Sequence, residues 1–149
     1  MPSKCIFCKI ITKSAPADIK FENENIIIFK DIKPAAQHHY LSVPKEHLKN
    51  VNSLSKNDHK DLLDEMISEG KRIVEQEGGD TNDLRIGFHL PPFNTVDHLH
   101  LHTISPASSM SLLHRVMFQP NSWWFTTVET IQERLANLDV ATTKDNSKL

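Results

Sequence analysis

The chain has 149 residues, enough for one domain with its own hydrophobic core and too few for two ordinary domains. Hydrophobic residues make up 38% and charged residues 24%, and the net charge of −2 gives no overall attraction to nucleic acid or anionic membranes. No apolar run is long enough to span a membrane and the N-terminus lacks the apolar region of a signal peptide. We therefore expect a cytoplasmic protein, small enough to enter the nucleus as well.

The first part of the chain predicts one short helix and three strands. Residues 5–12 favour a short helix, which Pro16 ends. Residues 19–21 and 26–29 predict two strands joined by an Asn-Glu-Asn turn, a typical hairpin signal. Residues 38–43 predict a third strand that stops at a proline.

A long helix and two further strands are predicted next. Ser55 followed by Asp58 resembles a helix-capping signature, and the apolar residues after it recur with helical period until Gly78. Residues 84–88 and residues 96–104 then predict a fourth and a fifth strand, separated by a proline-rich loop.

The C-terminal part predicts one more helix over residues 128–138. Residues 139–149 are polar and charged, so we expect a disordered tail after a single domain over residues 4–138. The strand and helix order, with short turns between neighbouring strands, favours an α+β fold. We expect an antiparallel sheet of about five strands with one long helix and one or two shorter helices.

Three histidines alternate with leucines over residues 98–102. Alternate side chains of a strand share one face, so His98, His100 and His102 are predicted to point the same way. A hydrogen-bonded polar face without a role would be costly for three desolvated imidazoles. A zinc site and nucleophilic catalysis by a neutral imidazole remain, and the spacing alone does not decide between them.

This segment resembles the motif of the histidine triad family, and two upstream blocks, residues 29–32 and 39–47, resemble that family too. Residues 87–92 and 123–125 are similar to its aprataxin-related branch and its type-3 nucleotide-binding subgroup. The resemblance covers about residues 5–105 and implies the histidine triad fold. It also implies hydrolysis of nucleoside 5′-monophosphate derivatives, above all AMP joined to an amine or an acyl group.

The resemblance assigns three histidines to catalysis. His100 matches the family nucleophile, which forms a covalent AMP–histidine that water then hydrolyses. His102 is similar to the histidine that contacts the α-phosphate, and His39 matches a fourth histidine that supports the triad from a neighbouring strand. The chemistry is reasonable, because a neutral nitrogen is repelled less by a phosphoryl anion than a carboxylate would be. It requires no cofactor.

Five further residues are candidates for binding the substrate. Thr95, beside Asn94, stands where the family often places a hydroxyl on the phosphate; the alternative is that both only form a turn. Lys30 is a second candidate donor, or a solvated lysine at a strand edge. Asp31 and Ile32 match the positions that hold the ribose hydroxyls and the base.

An apolar slot for the base is expected beside these residues. Phe29 and Leu41, with Phe7 and Ile10, have the right character for its walls, although ordinary core packing explains them equally well. Nucleotide-binding relatives carry an asparagine near the substrate where Gly87 stands here, which leaves one ribose or phosphate contact open.

The two cysteines, Cys5 and Cys8, have the spacing of half a zinc site. Bacterial triad proteins and galactose-1-phosphate uridylyltransferases complete such a pair with two histidines, which match His47 and His98. A zinc held by this set would be structural, and His98 would then be unable to move protons. The alternative is two reduced thiols in an apolar helix, with His98 hydrogen-bonded to the backbone.

Four other histidines are interpreted as surface or loop residues: His38, His59, His89 and His114.

Two functions are alternatives to the hydrolysis of small AMP derivatives. An aprataxin-like DNA 5′-adenylate hydrolase should carry a basic surface or an appended zinc finger, and the sequence shows neither. A non-catalytic nucleotide-binding scaffold would keep only the pocket. We expect adenine nucleotide derivatives as substrates, a homodimer or larger homo-oligomer by resemblance, and neither nucleic acid nor membrane as partners.

Overall fold

The structure is a computed structural model that describes residues 4–147, with side chains described up to residue 137. Six strands and four helices follow the chain, with short 3₁₀ turns at Val51–Ser53 and Ala107–Ser109. The strands are β1 (Ile19–Glu22), β2 (Ile26–Lys30), β3 (His38–Pro44), β4 (Arg85–His89), β5 (Leu101–Ser105) and β6 (Phe125–Thr127). The helices are α1 (Ile6–Ile11), α2 (Lys56–Gln76), α3 (Leu112–Met117) and α4 (Val128–Ser147).

All six strands form one antiparallel sheet in the order β1-β2-β3-β5-β4-β6. Two central pairings place the histidines. His39 of β3 lies opposite Ile104 of β5, and Leu41 lies opposite His102. On the other side of β5, Gly87 of β4 pairs with His102. The third triad histidine therefore lies in the middle of the sheet, between Leu41 and Gly87.

The two faces of the sheet bury different sets of apolar residues. On one face, α2 and α4 pack their apolar stripes against the sheet, with Met66 and Ile73 of α2 fully buried beside Leu101. On the other face, Phe7 and Ile10 of α1 pack with four sheet residues: Ile27, Phe29, Leu41 and Val43. The histidines emerge on the α1 face, and α1 therefore becomes a wall of the site.

Helix α2 approaches the sheet closely because Gly70 has no side chain. A Cβ at this position would lie 2.7 Å from Thr103 Oγ1 and 3.3 Å from Ser42 Oγ. The helix begins after Ser55, whose hydroxyl donates to the Asp58 carboxylate at 3.1 Å. The Ser–Asp signature thus marks the helix start, although the contact joins the two side chains rather than capping the backbone.

The predicted α+β class with an antiparallel sheet is confirmed, with six strands rather than about five. The predicted strand over residues 96–104 is too long, because β5 begins only at Leu101. Helix α4 continues to Ser147, well beyond the predicted end at residue 138, since no glycine or proline interrupts it. The last two residues of the expected tail, 148 and 149, lie outside the described residues.

All four histidines interpreted as surface or loop residues lie in regular elements and are buried or half-buried, which corrects that interpretation; His114 is half-buried on α3. His38 is buried and its Nδ1 lies 2.9 Å from the Tyr40 hydroxyl. His59 is buried on α2 and its Nδ1 accepts from the Ser55 backbone N–H. His89 is half-buried on β4. Each can be buried because a polar partner satisfies its ring.

Across the described residues, no helix combines the length and the apolar character that a membrane crossing requires.

Candidate active site

Two of the three triad histidines precede the sheet. Strand β5 starts at Leu101, so only His102 lies in the ladder. Before it, the Leu99 N–H donates to the carbonyl of Leu48 at 2.7 Å in place of a strand partner. The alternation nevertheless persists, because Leu99 and Leu101 belong to the core under α2 while the rings of His100 and His102 lie together, 5.1 Å apart.

His100 is held in one tautomer by the main chain. Its Nδ1 lies 2.7 Å from the carbonyl oxygen of His98, and because a carbonyl only accepts, Nδ1 carries the proton. Burial lowers the pKa of His100, so the ring is neutral near pH 7. Nε2 then carries the lone pair, the form in which an imidazole acts as a nucleophile.

Three imidazole rings form a hydrogen-bonded series, which we call the histidine chain: His39, His102 and His89. The Ala35 N–H donates to His39 Nδ1 at 2.9 Å, so the His39 proton lies on Nε2, 2.9 Å from His102 Nδ1. His89 Nε2 donates to the carbonyl of Met117 at 3.0 Å, and His89 Nδ1 lies 3.3 Å from His102 Nε2. The backbone groups at both ends therefore fix the proton of every ring on Nε2.

The histidine chain is neutral because it is desolvated. Burial lowers the pKa of His39 to about 3 and holds the pKa of His102 well below its usual range, with the neighbouring imidazoles adding to the effect. The Phe118 ring packs against all three rings of the chain, with centroids 4.9–5.5 Å away. His102 Nε2–H is thus a fixed neutral donor, and such donors stabilise anionic groups well at dry sites.

A cavity of about 510 Å³ lies beside these rings. Its lining contains both His100 and His102 together with most of the substrate-binding residues predicted from the sequence: Phe29, Lys30, Asp31, Ile32, Leu41 and Thr95. Phe7 and Ile10 of α1 complete an apolar side. Ile32 is 90% exposed, so it lies at the mouth of the cavity rather than inside it.

Asp31 follows β2 and lies at the junction of the cavity and the histidine chain. Its Oδ1 accepts from the Lys33 N–H at 2.8 Å, and its Oδ2 lies 3.3 Å from His39 Nε2. Because His39 is neutral and its proton lies closer to His102, this is not an ion pair. Burial raises the pKa of Asp31, and the carboxylate has acceptor capacity left for hydroxyl donors of a ligand.

Asn94 is the one predicted substrate-binding residue that the structure does not bring into this cavity. Its side-chain amide donates to the Val96 carbonyl at 3.2 Å and to the Asp97 carboxylate at 3.0 Å. These contacts stabilise the loop before the triad, so Asn94 has the turn-forming role that the sequence offered as the alternative. Thr95, its neighbour, does line the cavity.

The sequence reasoning missed His89 and its partners Met117 and Phe118. The sequence signal that could have pointed to His89 was Gly87, two residues earlier. A Cβ on Gly87 would lie 2.2 Å from the Thr126 carbonyl, so this position must be glycine where β6 passes close by. Since Gly87 pairs with His102 and strand faces alternate, His89 lies on the same face as the triad.

A second cluster, the tetrad, is formed by Cys5, Cys8, His47 and His98, whose ligand atoms all lie within 4.8 Å of one another. His47 Nδ1 and His98 Nδ1 are 3.0 Å apart, and Cys8 Sγ is 3.3 Å from the first and 3.5 Å from the second. Cys5 Sγ lies 3.4 Å from His98 Nδ1. The predicted set is therefore assembled in one place.

The donor chemistry of the tetrad fits a zinc ion. His98 Nε2 donates to the carbonyl of Pro44 at 2.8 Å, which leaves Nδ1 unprotonated and facing the two thiols and His47. A backbone carbonyl behind a ligating imidazole is a common arrangement around protein-bound zinc. Two sulfur and two nitrogen donors match a closed tetrahedral site without an open position.

Comparisons with known proteins agree with this geometry. The family model described as scavenger mRNA decapping enzyme C-term binding matches residues 4–118. A mouse protein named adenosine 5′-monophosphoramidase HINT3 is 41% identical over 136 residues, which cover 89% of this chain and 82% of the mouse protein. An Arabidopsis thaliana protein named bifunctional adenosine 5′-phosphosulfate phosphorylase/adenylylsulfatase HINT4 is 46% identical over 99 residues, 66% of this chain and 67% of its own.

A solved structure of a HIT family hydrolase from Clostridium thermocellum superimposes with a TM-score of 0.64 and 34% sequence identity. The match covers 70% of this chain and 91% of the solved one. The family model, the relatives and the geometry around His98, His100 and His102 agree, and the chain belongs to the histidine triad superfamily.

Proposed function

We propose that the protein is a hydrolase of AMP derivatives that releases AMP from an amine or an acyl group through a covalent intermediate on His100. The observation that carries this proposal is the neutral His100 ring, whose proton is held by a carbonyl and whose Nε2 remains unprotonated beside the cavity. The mouse relative named adenosine 5′-monophosphoramidase supports the substrate class.

In the first step, the His100 Nε2 lone pair attacks the α-phosphorus while the bond to the amine or acyl group breaks. The His102 Nε2–H donates to a phosphate oxygen, on which negative charge develops. His39 keeps His102 in the donating tautomer through the contact of 2.9 Å. Asp31 accepts from the ribose hydroxyls, and Phe29 with Leu41 packs against the base.

In the second step, water attacks the same phosphorus and the P–N bond to His100 breaks, which returns the electron pair to Nε2 and releases AMP. Two displacements replace one difficult hydrolysis with two easier ones. The carbonyl of His98 keeps the His100 proton on Nδ1 throughout, so the nucleophile is regenerated without a tautomer change.

The proposal is tested with His100→Ala and adenosine 5′-phosphoramidate. We expect turnover to fall by at least about a thousandfold, as for the loss of a covalent nucleophile elsewhere, while AMP still binds. His38→Gln, on a buried histidine outside the cavity, is the matched control and should keep its activity. Full turnover by His100→Ala would refute the proposal.

We also propose that the tetrad holds one structural zinc ion. Such an ion would join α1 to the segment that carries the triad, and His98 would act as an anchor rather than as an acid. We expect one zinc per chain by elemental analysis, lost in His47→Gln and kept in His59→Gln. Saturating metal should raise Tm by about 5–10 °C over the chelated protein. A metal-free protein of unchanged Tm would contradict this.

We further infer that the chain forms a homodimer. The support is the exposure of large apolar side chains near the C-terminal part of the described chain, since Leu112, Leu113 and Trp123 are 68–84% exposed. One chain has a mass of 17.0 kDa, and light scattering after size-exclusion chromatography should give twice that mass. A mass of one chain at micromolar concentration would contradict the dimer.

A further inference from the structure

We propose that a second cavity, which lies beside α3 and apart from the triad, binds a phosphate monoester with an apolar body through Arg85 and Arg115. This site goes beyond the proposed hydrolysis and does not depend on it. The cavity has a volume of about 620 Å³ and shares no lining residue with the cavity beside His100. A ligand bound here therefore leaves the cavity beside His100 free for a substrate.

Arg85 lies at the start of β4, and one hydrogen bond orients its guanidinium. Strand alternation places Arg85 on the same face of the sheet as Gly87 and His89. Its Nη1 donates to the carbonyl of Phe118 at 2.6 Å. This contact fixes the guanidinium in the cavity but does not neutralise its charge, because a carbonyl carries no net charge.

The charge of Arg85 has no counter-ion in the part of the chain that the structure describes. No carboxylate there lies within ion-pairing distance of its guanidinium, although the side chain is half-buried. Burial lowers the pKa of Arg85, and the more distant charge of Asp83 opposes this only in part. The guanidinium stays protonated at neutral pH. A half-buried cation without a counter-ion is unfavourable, and a bound anion offsets that cost.

Arg115 contributes a second oriented guanidinium at the exposed rim of the cavity. Its Nε donates to the carbonyl of Met110 at 3.1 Å, and its Nη2 donates to the carbonyl of Ser108 at 2.6 Å. These two bonds to the main chain define the plane of the guanidinium and leave the N–H groups of Nη1 for a ligand. An arginine held in this way loses less conformational entropy on binding than a mobile side chain does.

Asp83 is the one carboxylate among the described residues that line this cavity, and it already has partners. Its Oδ1 accepts from the Ser108 N–H at 3.2 Å, and its Oδ2 accepts from the Ser108 hydroxyl. These bonds hold Asp83 against the 3₁₀ turn at Ala107–Ser109. Two guanidinium charges exceed one carboxylate charge, so the cavity has a net positive charge.

The donors and the walls of the cavity indicate the chemical class of the ligand. Planar guanidinium groups bind phosphate and carboxylate oxygens in pairs. A phosphate monoester carries close to two negative charges at neutral pH and a carboxylate carries one, so two guanidiniums attract the phosphate more strongly. Apolar residues of the same cavity can contact the rest of the ligand; they are Ala107, Val116 and Pro120.

The test uses phenyl phosphate and nuclear magnetic resonance of the full chain labelled with ¹³C and ¹⁵N. The chain has four arginines, whose side-chain Nε and Cζ signals can be assigned: Arg72, Arg85, Arg115 and Arg134. No arginine lines the cavity beside His100, so binding there is not reported by a contacting arginine. We expect the Arg85 and Arg115 signals to shift together with a Kd on the order of 1 mM, usual for a ligand of this size. The signals of Arg72 and Arg134 should stay in place.

The variant Arg115→Gln removes one guanidinium from the exposed rim of the cavity. It should weaken the binding of phenyl phosphate by about tenfold or more, measured at the Arg85 signal, because charged hydrogen bonds are lost. Arg72→Gln is the matched control, since Arg72 pairs with Glu69 on α2, away from the cavity. This control should bind phenyl phosphate as tightly as the unaltered protein.

Two further probes test the class of ligand. Benzoate has the same apolar body with a single negative charge, and inorganic phosphate has the charge without the body, so both should bind several-fold more weakly than phenyl phosphate. Equal binding of either probe would overturn the assignment of the ligand. The site itself would be refuted by unmoved Arg85 and Arg115 signals at about 10 mM phenyl phosphate, or by unaltered affinity in Arg115→Gln. None of these results depends on hydrolysis through His100, which is tested separately.

Discussion

Each triad imidazole has its own pair of hydrogen-bonding partners, although the three residues are of one type and all are buried. His98 is fixed between the Pro44 carbonyl and the tetrad, and His100 is fixed by the carbonyl of His98. His102 is fixed by His39 and faces His89. The partners set the tautomer, and the tautomer decides whether a ring anchors, attacks or donates.

At the same scale, Thr103 carries a buried hydroxyl for which no hydrogen-bond partner exists among the described residues. Thr103→Val replaces it with a methyl group of similar size, so we expect the free energy of unfolding to rise by about 1 kcal/mol and Tm by about 2–4 °C. The matched control is Ser42→Ala, because the Ser42 hydroxyl donates to the Met66 carbonyl at 3.0 Å. That variant should lose about 1 kcal/mol. A loss in Thr103→Val as large as in Ser42→Ala would contradict this assignment.

At the scale of elements, the pairing of β4 with β6 depends on Gly87. A Cβ at Gly87 would lie 2.7 Å from the Phe125 ring as well as against the Thr126 carbonyl, so Gly87→Ala must displace the edge strand. Phe125 packs on His89 with centroids 5.2 Å apart, and the displacement therefore reaches the site. We expect the free energy of unfolding to fall by about 1–3 kcal/mol and AMP binding to weaken in titration calorimetry.

The control for this prediction is Gly78→Ala. Gly78 follows α2 with φ of +86° and would have open space around a Cβ, so its substitution strains only the local backbone. Gly78→Ala should lower stability while AMP binding stays unchanged. If both variants bind AMP as tightly as the unaltered protein, β6 does not support the site.

Turn and capping signals predicted α1, the β1–β2 hairpin and α2 from the sequence, because each is a local feature. Two elements were missed. Strand β6 has only three residues, and α3 has six residues and no buried side chain, so neither shows a periodicity that can be recognised. The predicted strand over residues 96–104 failed at its start, because Leu99 pairs with Leu48 rather than with a strand.

The site residues divide in the same way: those in local motifs were predicted from the sequence, and those placed by long-range contacts were not. His39, His100 and Asp31 were identified because they belong to short motifs that resemble a known family. His89 belongs to the block of residues 87–92 that resembles the aprataxin-related branch, but that resemblance assigned it no role, and its position depends on the register of β4 against β5 and on the carbonyl that α3 supplies. Those are long-range features, which a single sequence does not specify.

At the scale of the whole molecule, the buried imidazoles couple folding to pH. Five of them have pKa values lowered by burial: His39, His89, His98, His100 and His102. Below about pH 6.5 the unfolded chain binds protons that the folded chain does not, so stability falls as the pH falls. For His39 this loss continues down to its folded pKa of about 3.

We therefore expect the free energy of unfolding in urea to decrease between pH 7 and pH 5, with each neutral buried histidine adding up to about 1.4 kcal/mol per pH unit. Asp31 has the opposite effect on stability, because burial raises the pKa of its carboxyl. The five histidines outweigh this single group. In His39→Gln, the free energy of unfolding should decrease less between pH 7 and pH 5 than in the unaltered protein. Equal stability at pH 7 and pH 5 would show that these rings are not buried in the neutral form.

The central claim is that His100 becomes covalently bonded to AMP. The most direct measurement is mass spectrometry of the protein quenched in base during turnover of adenosine 5′-phosphoramidate, since a phosphorylated imidazole is hydrolysed in acid. The account predicts one AMP per chain, located on His100 by peptide mapping and absent from His100→Ala. AMP located on His102 or His39, or AMP still attached to His100→Ala, would contradict it.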